Sequence, residues 1–150
     1  ELHTLMAQTP VDYTIFWREL SSLPQQVADL RPSFYASRGA YGQDPAVMEA
    51  RWGTWLQHWH TALAQDGRDP LEVSVAMKQV NPKYIPREWM LVQAYRSATD
   101  AGDFTLVRRL HAVLADPYSE QSPELAALYY TKKLDEYFDL GGTSHCSCSS

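Results

Sequence analysis

The feature that most constrains this chain is the recurrence of apolar residues at helical spacing, in segment after segment, with proline, glycine or aspartate between the segments. The clearest segment runs from Pro45 to about Gln65, and its stripe holds Met48, Trp52, Trp55, Trp59 and Leu63. Asp44 is placed to cap this helix and Pro45 to open it. Because three tryptophans on one stripe bury a large area, we expect this face to be core or an interface.

Other segments have the same character. The pattern predicts helices over 12–23, over 71–80, from Pro86 to Gly102, from Asp103 through Val113, and from Pro123 to Leu140. Residues 31–43 are the best internal loop, and Gly141-Gly142 ends the last helix. Neither strand-like alternation nor a fixed-period repeat is present. We therefore predict an all-α fold of about five to seven helices over residues 1–140, followed by a flexible tail over 141–150.

The bulk composition excludes several classes of function. The hydrophobic content of 45% and the charged content of 21% are those of an ordinary globular domain. The net charge of -5 opposes binding to phosphate backbones, so we expect no nucleic-acid partner. No window approaches the roughly 18–20 apolar residues of a membrane span, so we expect no membrane partner. The chain begins at Glu1 without Met, and we expect a fragment that lacks any targeting segment.

The only two cysteines, Cys146 and Cys148, lie close to the C-terminus. Two thiols in one tail cannot hold a fold of this size together, so the chain is not a disulfide scaffold. A thiol on a terminal arm can reach a partner disulfide, and a protonated His145 would favour the thiolate. The alternative is a disordered tail with inert thiols. A zinc site from these three residues would need a further ligand and usually a different spacing.

Other candidate sites have ordinary structural explanations. His58 and His60 are two residues apart on a helix and point to different faces, so they cannot share one ion. The tryptophan stripe could stack bases, but such surfaces pair aromatic residues with a basic groove that this acidic chain does not offer. The segment 141–144, Gly-Gly-Thr-Ser, lacks the helix and lysine of a phosphate-binding loop. No nucleophile elbow, metal-binding helix or carboxylate pair is present, so we predict no catalytic residue in this chain.

One stretch carries a family resemblance. Residues 80–89, Val-Asn-Pro-Lys-Tyr-Ile-Pro-Arg-Glu-Trp, resemble the NPxYxxRxW/L block near the end of selenoprotein O proteins. The region that precedes this block in the family is similar to residues 16–20 and 51–56. The helices that follow the block are similar to residues 101–104 and 110–118. The chain ends in Cys-Ser-Ser, where members of the family carry selenocysteine or cysteine before two serines. The chain is therefore identified as the C-terminal region of a selenoprotein O family member, with cysteine in place of selenocysteine.

The resemblance implies a protein-kinase-like (pseudokinase) fold that transfers AMP from ATP to hydroxyl side chains of proteins, with Mg²⁺ or Mn²⁺. It implies that the nucleotide and metal sites lie in a core upstream of Glu1, because this chain has no Gly-rich, DFG-like or HRD-like motif. The chain alone would then be inactive, and its partners would be that upstream core and protein substrates. The protein would be mitochondrial if eukaryotic and cytoplasmic if bacterial.

Cys148 and Cys146 are the redox candidates under this resemblance. Some members place a cysteine three residues before the terminal one, whereas Cys146 lies two before Cys148, which counts against a simple bridge within the tail. A Cys-x-Cys bridge would also close a very small, strained ring. A bridge from Cys148 to a cysteine of the upstream core is geometrically easier.

Asn81, Tyr84 and Arg87 form a possible core-contact block. Arg87 could reach a phosphate or a carboxylate on the core, and Tyr84 could supply a hydroxyl nearby. The structural alternative is that Asn81 and Pro82 cap a helix while Arg87 makes an ion pair. The alternative function for the whole chain is a non-enzymatic helical interaction module or redox adaptor, which binds a partner through an exposed apolar face.

Overall fold

A computed structural model describes residues 1–35 and 43–134 and divides the chain into two compact units, Glu1–Asn81 and Pro82–Ser150. Over the described ranges the secondary structure comprises eight α-helices, one 3-10 helix and no strand, and Val11 and Phe34 form an isolated β-bridge. The all-α prediction is confirmed. The predicted number of five to seven helices is too low. The pattern missed the short helices at Leu2–Gln8 and Val27–Leu30, which hold too few apolar residues to show helical spacing.

The first unit contains five α-helices within residues 1–35 and 43–81. They are α1 (Leu2–Gln8), α2 (Tyr13–Leu20), α3 (Val27–Leu30), α4 (Pro45–Asp66) and α5 (Pro70–Val80), with a 3-10 helix at Arg31–Ser33. The carboxylates of Asp12, Asp44 and Asp69 each accept a backbone N–H at the start of α2, α4 and α5. Gly67 ends α4 in a left-handed conformation with φ +73°, two residues beyond the predicted end near Gln65.

The tryptophan stripe of α4 forms the core of the first unit. The rings of Trp52 and Phe16 lie 5.5 Å apart, and those of Trp52 and Trp55 lie 5.7 Å apart edge to face. Trp52 is 1% exposed, and its indole N–H donates to Thr9 Oγ1 at 3.0 Å. Trp59 packs at the edge of this cluster. The stripe is therefore core, as one of the two sequence interpretations proposed.

The second unit contains α6 (Glu88–Ala101), α7 (Thr105–Leu114) and α8 (Pro123–Tyr129) within its described part. Its core is formed by Trp89, Met90, Ala94 and Leu110. Gly102 ends α6 with φ +63°, and Asp103 Oδ1 accepts the backbone N–H of Thr105 at 2.8 Å. Both of these helix boundaries are confirmed.

Two predicted boundaries in the second unit are wrong. The helix α6 begins at Glu88 rather than at Pro86, because Arg87 is extended at the N-cap position. The last helix ends at Tyr129 rather than at Leu140. Tyr130 leaves the helical conformation, and its ring centroid lies 5.3 Å from Lys83 Nζ. Residues 131–134 are not helical, and the predicted helical residues 135–140 and the predicted tail 141–150 lie outside the described residues.

None of the helices in the described ranges is long and apolar enough to cross a membrane.

Candidate functional site

Tyr84, a member of the core-contact block, is buried in the second unit and tied to the turn that follows α7. Its side chain is 2% exposed, and its hydroxyl donates to the carbonyl oxygen of Glu120 at 2.8 Å. The backbone N–H groups of Lys83 and Tyr84 both donate to the carbonyl of Pro117, at 2.8 and 3.1 Å. These bonds hold the segment before α6 against the turn at 117–120, and they use the Tyr84 hydroxyl within the unit.

Lys83 strengthens the same attachment. Its Nζ lies 2.7 Å from a carboxylate oxygen of Glu120 and 3.2 Å from the carbonyl of that residue. The ammonium group also faces the rings of Tyr84 and Tyr130, at 5.7 and 5.3 Å from their centroids. The Lys83 side chain is only 12% exposed, so this ion pair is better shielded from water than an ordinary surface pair. Sequence reasoning quoted Lys83 but assigned it no role.

Arg87 is also buried, with 2% of its surface exposed. It occupies the N-cap position of α6, and its backbone N–H donates to the carbonyl of Ile85 at 2.9 Å. A guanidinium group that is buried to this degree needs compensating partners inside the protein, and Arg87 is among the residues that have them. This burial favours a structural role for Arg87, and the hydrogen bond of the Tyr84 hydroxyl to Glu120 gives that side chain a structural role as well. Their contact with an upstream core stays a prediction.

Asn81, the third member of the block, belongs to the first unit, where it is bonded to α2 and α5. Its side-chain Nδ2 donates to Ser21 Oγ at 3.1 Å, and its backbone N–H donates to the carbonyl of Met77 at 3.0 Å. The residue therefore closes the C-terminal end of α5, as the structural interpretation of this position proposed. The structure assigns Asn81 to one unit and the pair Tyr84 and Arg87 to the other.

Arg18, on α2, completes the end of α5 and was not singled out by sequence reasoning. The side chain is 4% exposed, and its Nη1 donates to the carbonyl of Lys78 at 3.1 Å and to that of Asn81 at 3.0 Å. The last carbonyls of a helix have no partner within it and carry partial negative charge, so a guanidinium group is well suited to cap them. Ser74 Oγ donates to the carbonyl of Ser21 at 2.7 Å beside this cap.

The two histidines of α4 have separate environments. His58 Nδ1 lies 3.8 Å from a carboxylate oxygen of Glu1 at the surface. His60 Nε2 lies 2.8 Å from the carbonyl oxygen of Pro24, and its ring meets Trp59 edge to face at 5.0 Å. A cavity of about 220 Å³ adjoins His60, and its lining is mostly apolar, including Leu23, Leu63 and Val73.

The carboxylates with lowered pKa values lie at the starts of three different helices and do not form a cluster. Backbone N–H groups of Gln26 and then Gln25 hold the pKa of Asp29 below its ordinary value. Hydrogen bonding to Thr105 lowers the pKa of Asp103, and hydrogen bonding to Ser122 lowers that of Glu124. Each shift has a local cause at the start of a helix.

Within residues 1–35 and 43–134, no group of three or more His, Cys, Asp or Glu side chains could hold a metal ion. We therefore assign no metal or ATP contact to the described residues. The redox candidates Cys146 and Cys148, with His145 and the segment 141–144, lie outside the described residues. Their roles stay predictions.

Comparison with known proteins identifies the family. The family model described as protein adenylyltransferase SelO matches residues 1–115. A protein nucleotidyltransferase YdiU of Rhizobium johnstonii is 37% identical over 126 residues, which are 84% of this chain and 23% of that protein. The protein of the same name from Methylobacillus flagellatus is 36% identical over 155 aligned residues, which cover 100% of this chain and 28% of its own length. The one from Stutzerimonas stutzeri is 38% identical over 119 residues, 78% of this chain and 22% of that protein. No solved structure matches the chain.

The class of the relatives follows from their names: they are bacterial proteins named as protein nucleotidyltransferases. The chain belongs to the protein adenylyltransferase SelO family, which confirms the resemblance drawn from residues 80–89 and their neighbours. The chain spans about a quarter of the length of the curated relatives that it matches.

Proposed function

We propose that this chain is the C-terminal part of a protein adenylyltransferase that transfers AMP from ATP to Ser, Thr or Tyr hydroxyls of protein substrates. The observation that carries the proposal is the SelO family match over residues 1–115, together with relatives named as protein nucleotidyltransferases. The relatives are about four times as long as this chain, which leaves room for a separate catalytic core in the full-length protein.

In this proposal the catalytic core lies upstream and has a protein-kinase-like fold. ATP and the Mg²⁺ or Mn²⁺ ion are bound by that core, where the metal neutralises charge on the phosphates. The described part of this chain supplies helices instead, and its carboxylates with lowered pKa values are engaged in local hydrogen bonds at the starts of helices. The chain by itself would therefore be inactive.

The proposed role of the helices is to brace the core. Each unit has an apolar core of its own. Each also has a buried arginine: Arg18 caps the end of α5, and Arg87 occupies the N-cap position of α6. Buried polar groups that are hydrogen-bonded fix the geometry of the segments they join. Such units can present a defined surface to the upstream core.

The tail completes the proposal. Cys148, with Cys146 two residues before it, would respond to redox state through a bridge to a cysteine of the upstream core. The relatives named above are bacterial, so of the two locations predicted from the resemblance we propose the cytoplasm.

Intact-mass analysis tests the function. The protein encoded by the whole gene and the 150-residue chain are each incubated with ATP and Mg²⁺, with a protein substrate mixture present. A mass gain of one AMP group on protein in the presence of the long form alone would support catalysis upstream. A gene that encodes nothing before Glu1, or a long form that adds no AMP to any protein, would contradict the proposal and favour the helical interaction module.

A further inference from the structure

The cavity of about 220 Å³ beside His60 lies within the first unit. Its walls come from the turn between α2 and α3, from the C-terminal part of α4 and from the start of α5. The apolar part of the lining consists of Leu23, Leu63, Ala64, Pro70 and Val73. Because three segments converge on this space, it is a concave site rather than the exposed side of one helix. We call it the His60 cavity.

The turn between α2 and α3 is held in an unusual conformation where it lines the His60 cavity. Leu23 has φ +56°, in the left-handed region that bulky residues rarely adopt, and it precedes Pro24. Its N–H donates to the carbonyl of Leu20 at 3.1 Å, and its own carbonyl accepts from Gln25 Nε2 at 2.9 Å. His60 Nε2 donates to the carbonyl of Pro24 at 2.8 Å. Strained backbone persists where its surroundings hold it firmly, as they do at ligand sites, so this wall is formed in advance of any ligand.

The volume of the His60 cavity suits a single small ring. A cavity of about 150 Å³ is enough to bind benzene, whereas pockets for drug-sized ligands occupy about 300–1,000 Å³. The His60 cavity, at about 220 Å³, lies between these sizes. It therefore fits one aromatic ring with small substituents.

The polar groups of the lining are two hydrogen-bond acceptors and a cation that is already paired. His60 donates through Nε2, so Nδ1 of the neutral ring is an acceptor. Gln25 donates through Nε2 to the Leu23 carbonyl, which leaves Oε1 as a second acceptor. Arg68 Nε is paired with the Asp66 carboxylate, so the pair brings no net positive charge to the cavity. These groups suit an uncharged ligand that donates a hydrogen bond.

Two other kinds of occupant suit this lining less well. A carboxylate cannot donate to His60 Nδ1 or to Gln25 Oε1, and the nearby Asp66 carboxylate repels it. A segment of polypeptide brings main-chain N–H and C=O groups that need partners. The backbone carbonyls of the turn, at Leu23 and Pro24, are already bonded to side chains. The lining therefore favours a small uncharged molecule.

We propose that the His60 cavity binds a small, uncharged aromatic alcohol. The ring lies against the apolar lining, including Leu63 and Val73, and the hydroxyl donates to one of the two acceptors, His60 Nδ1 or Gln25 Oε1. The inference is independent of the proposed function, because this site uses neither ATP nor the upstream core. A bound ligand links the turn between α2 and α3 to α4 and α5.

Methyl NMR of the full-length protein tests the His60 cavity. Leucine and valine methyl groups carry carbon-13, and the signals of Leu63 and Val73 are followed while para-methylbenzyl alcohol is added. The charged control is para-methylbenzoate, which has the same ring and methyl group but no hydrogen-bond donor. Ala64→Phe places a ring in the cavity. Its matched control is Ala62→Phe, because Ala62 is also exposed on α4 but does not line the cavity.

We expect both methyl signals to shift and to saturate, with a Kd of about 1 mM or tighter for a ligand of this size. The carboxylate should bind at least about tenfold more weakly, because it lacks the donor. Ala64→Phe should weaken binding of the alcohol at least about tenfold, whereas Ala62→Phe should change the Kd less than about twofold.

Three results would overturn the proposal. If the alcohol causes no saturable shift at Leu63 and Val73, there is no such site, whether the cavity rejects the ligand or another part of the protein fills it. Equal affinities for the alcohol and the carboxylate would refute the ligand class. Equal affinities of Ala64→Phe and Ala62→Phe for the alcohol would refute the location.

Discussion

Replacing Arg18 by alanine should destabilise the first unit more than replacing any exposed arginine. The Arg18 guanidinium is 4% exposed and donates to two carbonyls at the end of α5, at 3.1 and 3.0 Å. Its removal leaves two part-buried carbonyl acceptors without this donor. Each lost bond to a charged group costs about 1.5–3 kcal/mol. Partial relaxation and entry of water reduce the sum. We expect the free energy of unfolding to fall by about 2–4 kcal/mol.

Urea unfolding followed by tryptophan fluorescence measures this loss. The signal reports mainly the first unit, because that unit holds four of the five tryptophans, namely Trp17, Trp52, Trp55 and Trp59. Arg31→Ala is the matched control, since Arg31 pairs with Glu49 at 3.1 Å but its side chain is 62% exposed. Such a surface pair contributes about 0–1 kcal/mol.

Arg18→Lys separates charge from geometry. A lysine keeps the positive charge near the end of α5, but it lacks the planar fork and reaches the two carbonyls less well. We expect it to recover part of the lost stability. Equal, small losses for Arg18→Ala and Arg31→Ala would refute the reasoning, because they would mean that the end of α5 does not depend on a buried cap.

Three further predictions follow from single contacts. Trp52→Ala should lower the free energy of unfolding by about 3–5 kcal/mol in the same urea assay, because it empties the centre of the first unit's core. A loss below about 1 kcal/mol would contradict the central position of Trp52 in that core. Tyr84→Phe should cost about 0.5–1.5 kcal/mol, measured by thermal unfolding, because it removes the donor to the Glu120 carbonyl; an unchanged midpoint would count against that bond. The pKa of Asp29 is lowered in the folded protein, so the stability that it contributes is present above its ordinary pKa and is lost as the pH falls through the lower folded value. Asp29→Asn should therefore flatten the stability profile below about pH 4, and a profile unchanged from that of the parent protein would rule the cap out as the cause.

The local elements of the fold could be predicted from the sequence because their causes lie within a few residues. Asp44 accepts the N–H of Ala46, and Gly67 and Gly102 adopt the left-handed conformation that ends α4 and α6. The tryptophan stripe follows from helical spacing in the same way, and its burial was one of two expected outcomes. The family was also predicted, from residues 80–89.

Contacts between distant residues could not be predicted in this way. Arg18 and Asn81 are 63 positions apart in the sequence. No local pattern indicates that Arg18 caps the C-terminal end of α5, which Asn81 follows. Sequence reasoning extended the last helix to Leu140, but α8 ends at Tyr129 and the next ring faces Lys83. Helical spacing reports only which residues share a face, whereas a buried cation or an early helix end depends on which surfaces meet. The sequence by itself determined six of the eight described α-helices, the cap at Asp44, the ends at Gly102 and Asp103, and the family. The tertiary structure alone decided which polar groups are buried and where α8 ends, because long-range packing sets both.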